Sequence, residues 1–197
     1  MTQDILLILI QALLAVLSGT WAMIGANQMY RKRRTSRLEK IEQLFAEVTS
    51  RYLYPLPGEE MNLIEIQRAF RGVGVKSTKP ANVQYLINLM LRTQRALLGK
   101  EYHKLETLFR QIPPFRASFS KLSSRKWYIK ARGIREIYEM DQEQYLKDIS
   151  KEIDHENIFI RREAQIAMVV FLGWDSLRFL PYLKREMTLW QQIKIVE

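Results

Sequence analysis

The segment that decides the fold is Asn157–Gly173, NIFIRREAQIAMVVFLG. Two arginines and a glutamate lead into seven successive apolar residues, Ile166 to Leu172. A membrane-spanning helix needs about 20 apolar residues, so this run is too short to cross a bilayer. An ordinary surface helix keeps a polar stripe, which this segment lacks after Gln165. The pattern predicts a helix packed on several sides by other helices, with its polar start, Arg161–Glu163, at the mouth near solvent.

A second segment repeats the theme. WYIKARGIREIYEM (Trp127–Met140) aligns with IRREAQIAMVVFLG (Ile160–Gly173) at an offset of 33 residues, pairing Ala131 with Ala164, Ile134 with Ala167 and Ile137 with Val170. Each copy leads into a second amphipathic stretch, DQEQYLKDISKEI after the first and DSLRFLPYLKRE after the second. A third copy starts at LWQQIKIVE (Leu189–Glu197), where the sequence stops with that repeat unfinished. Helix pairs at such a period predict an α-solenoid, in which each pair buries its apolar face against its neighbours.

DHENIFIRREAQIA (Asp154–Ala167) resembles a HEAT-like repeat: an acidic turn, a branched apolar residue, an arginine, two free positions and an alanine. The first copy departs from this pattern with Tyr128 at the arginine position, and the third with Lys194 at the alanine position. The resemblance implies structural roles for Asp154 and Arg161, which would link neighbouring repeats, and for Ala164, which would let helices approach. The whole layout is similar to bacterial membrane-anchored HEAT-like repeat proteins, and it says little about activity.

The N-terminal part carries the anchor in this reading. Ile5–Ile24, ILLILIQALLAVLSGTWAMI, has no charge. At 1.5 Å per residue such a helix spans the roughly 30 Å hydrocarbon core. Trp21 and Tyr30 stand where interfacial aromatics are expected, and the cluster Arg31, Lys32, Arg33, Arg34 and Arg37 follows. Basic residues stay on the cytoplasmic side and attract anionic lipid headgroups. The sequence therefore predicts a single-pass protein of the bacterial inner membrane, N-terminus outside. Its divisions are an anchor (1–30), a basic juxtamembrane helix and linker (31–80), and a cytoplasmic HEAT-like array (81–197).

Between these parts the periodicity predicts helices over Arg34–Tyr54, with the stripe Leu38, Ile41, Leu44, Phe45 and Val48, and over Asn62–Arg71, Val83–Leu98 and Glu101–Ile112. Gly99 is expected to close the third of these, PPF (Pro113–Phe115) to end the fourth, and Ser123 or Ser124 to cap the helix beginning near Trp127. GVGVKSTKP (Gly72–Pro80) is not a phosphate loop, because Val75 stands where its second glycine belongs. Strand alternation is absent, so the expected class is all-α.

Chemistry is sparse. The chain has no cysteine, and its two histidines, His103 and His155, are far apart in sequence. That excludes thiolate chemistry and disfavours a metal site. No nucleophile motif occurs, so no enzymatic activity, cofactor or metal is expected. The net charge of +10 points to anionic partners. FRASFSKLSSRKWYIK (Phe115–Lys130), whose charges are all positive, comes nearest to a nucleic-acid patch, but the reading preferred is a solvated loop facing an anionic membrane. Trp127 and Trp190 are expected to pack between repeats, and Trp174 to stand exposed as a partner anchor.

The expected function is a non-catalytic, membrane-tethered scaffold that binds an unidentified, membrane-associated protein. The outward positions Arg132, Arg135, Arg162 and Gln165 would form the contact surface, with Trp174 beside them. Nucleic-acid binding at the membrane, or service as a regulatory subunit of a membrane enzyme complex, are the alternatives.

Overall fold

The computed structural model describes residues 2–56, 58, 61–76, 79–178, 180–185 and 187, without the side chains of 2–10, 12, 113–115, 177 and 180. The described residues are helical, with no strand among them. They form two compact units, Met1–Lys40 and Ile41–Glu197.

A single helix, α1 (Thr2–Leu53), runs from the first unit into the second. The predicted membrane span within it is not upheld: among the described residues, no helix is long and apolar enough to cross a membrane. From Gln11 onward the apolar residues are interspersed with Gln11, Ser18, Thr20, Asn27 and Gln28. The side chains of Ile5–Ile10, on which the expectation leans most, lie outside the described residues. α1 is continuous from the expected anchor into the stretch that follows it.

The second unit begins where α1 turns apolar on one side. Ile41, Phe45 and Val48 are buried, as their spacing predicts, and Leu53 joins them. Helix α2 (Leu63–Gly72) starts at Asn62, whose side-chain oxygen accepts from the Ile64 amide at 3.2 Å. Its charges, Glu65 in the first turn and Arg71 in the last, suit the helix dipole. Gly74 closes the turn with φ +89, a backbone conformation that side chains disfavour, and its carbonyl accepts from Asn82 Nδ2 at 2.9 Å.

Helix α3 (Pro80–Gln94) stops short of the predicted Leu98, and Gly99 stands before α4 (Lys100–Gln111) instead of closing α3. The largest departure follows. Pro113–Leu122 is a helix, α5, in place of the expected terminator and solvated loop. Proline is unfavourable inside a helix but well suited to its first turn, so Pro113 and Pro114 begin α5 as well as ending α4.

Helix α6 (Trp127–Glu139) begins at the expected residue, with Lys126 as its cap and Ser124 Oγ accepting from the Lys126 amide at 3.2 Å. A 3-10 turn and the short α7 (Leu146–Ser150) lead to α8 (Ile158–Leu172), capped by the Asn157 side chain. α6, α7 and α8 share one core built from Ile134, Ile137, Ile149, Ile160, Ala164 and Ala167, with Ala131 and Tyr138 at its edge. Each fully buried isoleucine contributes about 1.5–3 kcal/mol. Ala131 and Ala164, aligned in the sequence, both lie in this core.

α8 is enclosed on all sides from Glu163 to Met168, while Val170, inside the apolar run, is 51% exposed. The enclosed stretch is shifted toward the N-terminus from where the sequence places it, and it takes in the polar Glu163 and Gln165. The second half of this copy is not the expected helix: Gly173–Arg178 and Leu180–Tyr182 are 3-10 turns. The proposed third copy, Leu189–Glu197 with Trp190, lies outside the described residues.

Gly133 explains the close contact of α5 and α6. A Cβ there would stand 2.6 Å from Lys121 Cβ and 3.1 Å from the Ser118 carbonyl oxygen. Gly133→Ala should destabilise the protein by roughly 1–3 kcal/mol in urea unfolding, because the backbones must separate. Gly72→Ala, where nothing lies within 4 Å, should be neutral or slightly stabilising. Equal effects at the two sites would contradict the packing described.

Candidate functional site: a basic cleft

Helices α2 to α6 surround a cleft of roughly 990 Å³. Arg71 from α2, Lys76 from the following turn, Arg110 from α4, Arg116 and Lys121 from α5, and Arg132 from α6 line it. No carboxylate is among its lining residues. Val75, Val83, Ile112 and Ile129 form the apolar floor, and Tyr128 stands in the wall.

Two of these cations are neutralised. Lys121 Nζ donates to Glu136 Oε1 at 2.8 Å and to Gln84 Oε1 at 2.6 Å. Glu136 is only 2% exposed, and it also accepts from Ser118 Oγ and from Gln84 Nε2 at 2.8 Å. Burial pulls the Lys121 amine below its ordinary pKa, partly opposed by Glu136, and the nearby Arg132 charge lowers it further. Arg110 pairs with Glu106 at 2.8 Å and donates to Gln142 Oε1 at 3.1 Å. Among the described residues, Arg71, Lys76, Arg116 and Arg132 pair with no carboxylate. Four charges without a carboxylate partner among the described residues therefore face one concavity.

The cleft mouth continues into exposed rings. Tyr128 meets Trp127 edge to face at 5.8 Å between centroids. Trp127 stacks on Phe159 of α8 at 4.6 Å with an interplanar angle of 21°. The three rings are 42–48% exposed. The Arg162 guanidinium lies 5.7 Å from the Phe159 centroid, within cation–π range.

The sequence-predicted contact surface is only partly realised. Arg132 faces the cleft. Gln165 does not face outward: it is fully buried and donates to the Ile153 carbonyl at 3.0 Å, because α8 is enclosed at that level. Arg135 and Arg162 are engaged by Glu163, which is 2% exposed rather than at a solvated mouth. Tyr138 also donates to it at 3.0 Å. Trp174 is 88% exposed, as predicted.

Among the repeat residues, Asp154 Oδ1 accepts from the Lys184 amide at 3.0 Å and so ties its turn to the segment after α8. Among the described residues, neither Asp154 nor Arg161 links to a neighbouring copy. Arg161 donates to the His155 and Glu156 carbonyls at 2.8 and 3.2 Å, closing its own turn. Ala164 is fully buried. The basic cluster Arg31, Lys32, Arg33, Arg34 and Arg37 is exposed along α1. No group of acidic, histidine or cysteine side chains fit for a metal occurs among the described residues.

Sequence reasoning misses the carboxylates Glu136 and Glu163 as buried organising groups. The signal is present in their register: each shares the inner helix face with buried residues one turn away, Gly133 and Met140 for Glu136, Ile160 and Ala167 for Glu163. No family model, curated protein or solved structure matches the chain.

Burial pushes the Glu163 carboxyl upward, but hydrogen bonds and charge from Arg135, with further bonds from Arg162 and Tyr138, outweigh it and leave the pKa below the ordinary 4.5. A depressed carboxyl stabilises the fold fully above its unfolded pKa and loses that contribution as pH falls through the native one. Stability should therefore drop below about pH 4.5, more steeply than in Glu163→Gln. That variant should itself be roughly 1–3 kcal/mol less stable at neutral pH. Urea titrations across this range check both, and parallel curves would contradict the assignment.

Proposed function

We propose that the chain is a non-catalytic interaction protein that holds an anionic partner in the cleft between α2 and α6. The observation that carries this reading is the convergence of Arg71, Lys76, Arg116 and Arg132 on one concavity with no compensating carboxylate among the described residues. Holding like charges together costs energy unless a ligand neutralises them, and a concave setting strengthens their field. The apolar floor adds contact area once the partner excludes water.

α6 and α8 with their short partners fit a small stack of helical repeats, in keeping with the sequence resemblance to HEAT-like arrays. In this reading the stack is the rigid frame and the cleft is the working surface. Arg31–Arg37 on α1 offers a second basic surface, suited to anionic lipid headgroups. The exposed Trp174 is a separate anchor candidate.

Elution of the full chain from immobilised heparin tests the cleft. Arg116→Glu with Arg132→Glu should lower the eluting salt concentration clearly. Arg92→Glu with Lys147→Glu makes the same charge change outside the cleft and should have a much smaller effect. Equal shifts would assign binding to bulk charge and contradict the proposal.

A further inference from the structure

We infer that the anionic partner is a single-stranded nucleic acid, whose backbone lies in the cleft and whose bases stack on Tyr128, Trp127 and Phe159. This inference rests on the cleft reading and extends it. Tyr128 belongs to both surfaces: it lines the cleft, and its ring meets Trp127. From there the track passes to Phe159 and ends at Arg162. Pairwise contacts thus connect the cationic cleft through Tyr128, Trp127 and Phe159 to Arg162.

That order matches what a single strand presents. Phosphates need a cationic groove, and each base offers a π face to a partly exposed ring. Trp127 and Phe159 are already parallel, so a base added to the stack needs no rearrangement of the pair. An acidic polypeptide accounts for the cations equally well. Its carboxylates, however, have no face to stack on three adjacent half-exposed rings, whereas every nucleobase has one.

The test compares two labelled polyanions on the full chain: an oligouridylate of about 12 nucleotides and a polyglutamate of similar charge. Fluorescence anisotropy at low and moderate salt gives both affinities. The oligouridylate should bind more tightly. Trp127→Leu with Phe159→Leu, which keeps charge and apolar character, should weaken oligouridylate about tenfold and leave polyglutamate unchanged. Tyr128→Phe keeps a ring and should retain binding, whereas Tyr128→Leu should weaken it. The Tyr128 pair also decides the matter should the double variant fail to fold.

Polyglutamate binding without oligouridylate binding overturns the nucleic-acid inference and leaves the cleft reading standing. Binding of neither overturns both. Oligouridylate binding indifferent to all ring substitutions overturns the stacking track.

Discussion

Glu136 is the group on which the rest of the helical unit depends. It sits on the inner face of α6 and gathers Gln84 from α3 with Ser118 and Lys121 from α5. Three helices are thereby fixed around one carboxylate. A buried charge in this position is tolerable only because every neighbour donates to it, since desolvation alone costs several kcal/mol. The same contacts define the cleft wall. They neutralise Lys121 and hold Arg116 and Arg132 on the adjoining surfaces, where no carboxylate among the described residues pairs with them.

Glu163 has a comparable role between α6 and α8. It takes Arg135, Arg162 and Tyr138. Two of the arginines that read as outward from sequence are thus tied to a buried carboxylate, while their own side chains stay partly exposed. The surface left for a partner moves away from Arg135, toward the cleft and the rings at the N-terminal ends of α6 and α8, where Arg162 also faces Phe159. Glu136 and Glu163 make the unit a frame in which charges are fixed internally on one side and left open on the other.

Much of this architecture is legible in the sequence. Helical periodicity places α2, α4, α6 and α8, and the alignment of Ala131 with Ala164 locates the core they share. What the sequence hides has definite causes. α5 reads as a loop because Pro113 and Pro114 look like stops, although proline fits a first helical turn. Helical spacing alone cannot say how deep a polar side chain lies, so Glu163 and Gln165 read as solvated. The uncharged segment Ile5–Ile24 reads as a span only over a length that includes side chains outside the described residues. The cleft cannot be read at all, because its cations come from separate segments that only the tertiary packing brings together.

A double-mutant cycle on Lys121 and Glu136, followed by urea unfolding, tests the central claim most directly. Breaking a buried pair from one side leaves an uncompensated charge, so Lys121→Met and Glu136→Leu alone should each cost about 3–5 kcal/mol. The double variant should cost well below their sum, with a coupling energy above about 1 kcal/mol. Small single effects that simply add would contradict the account.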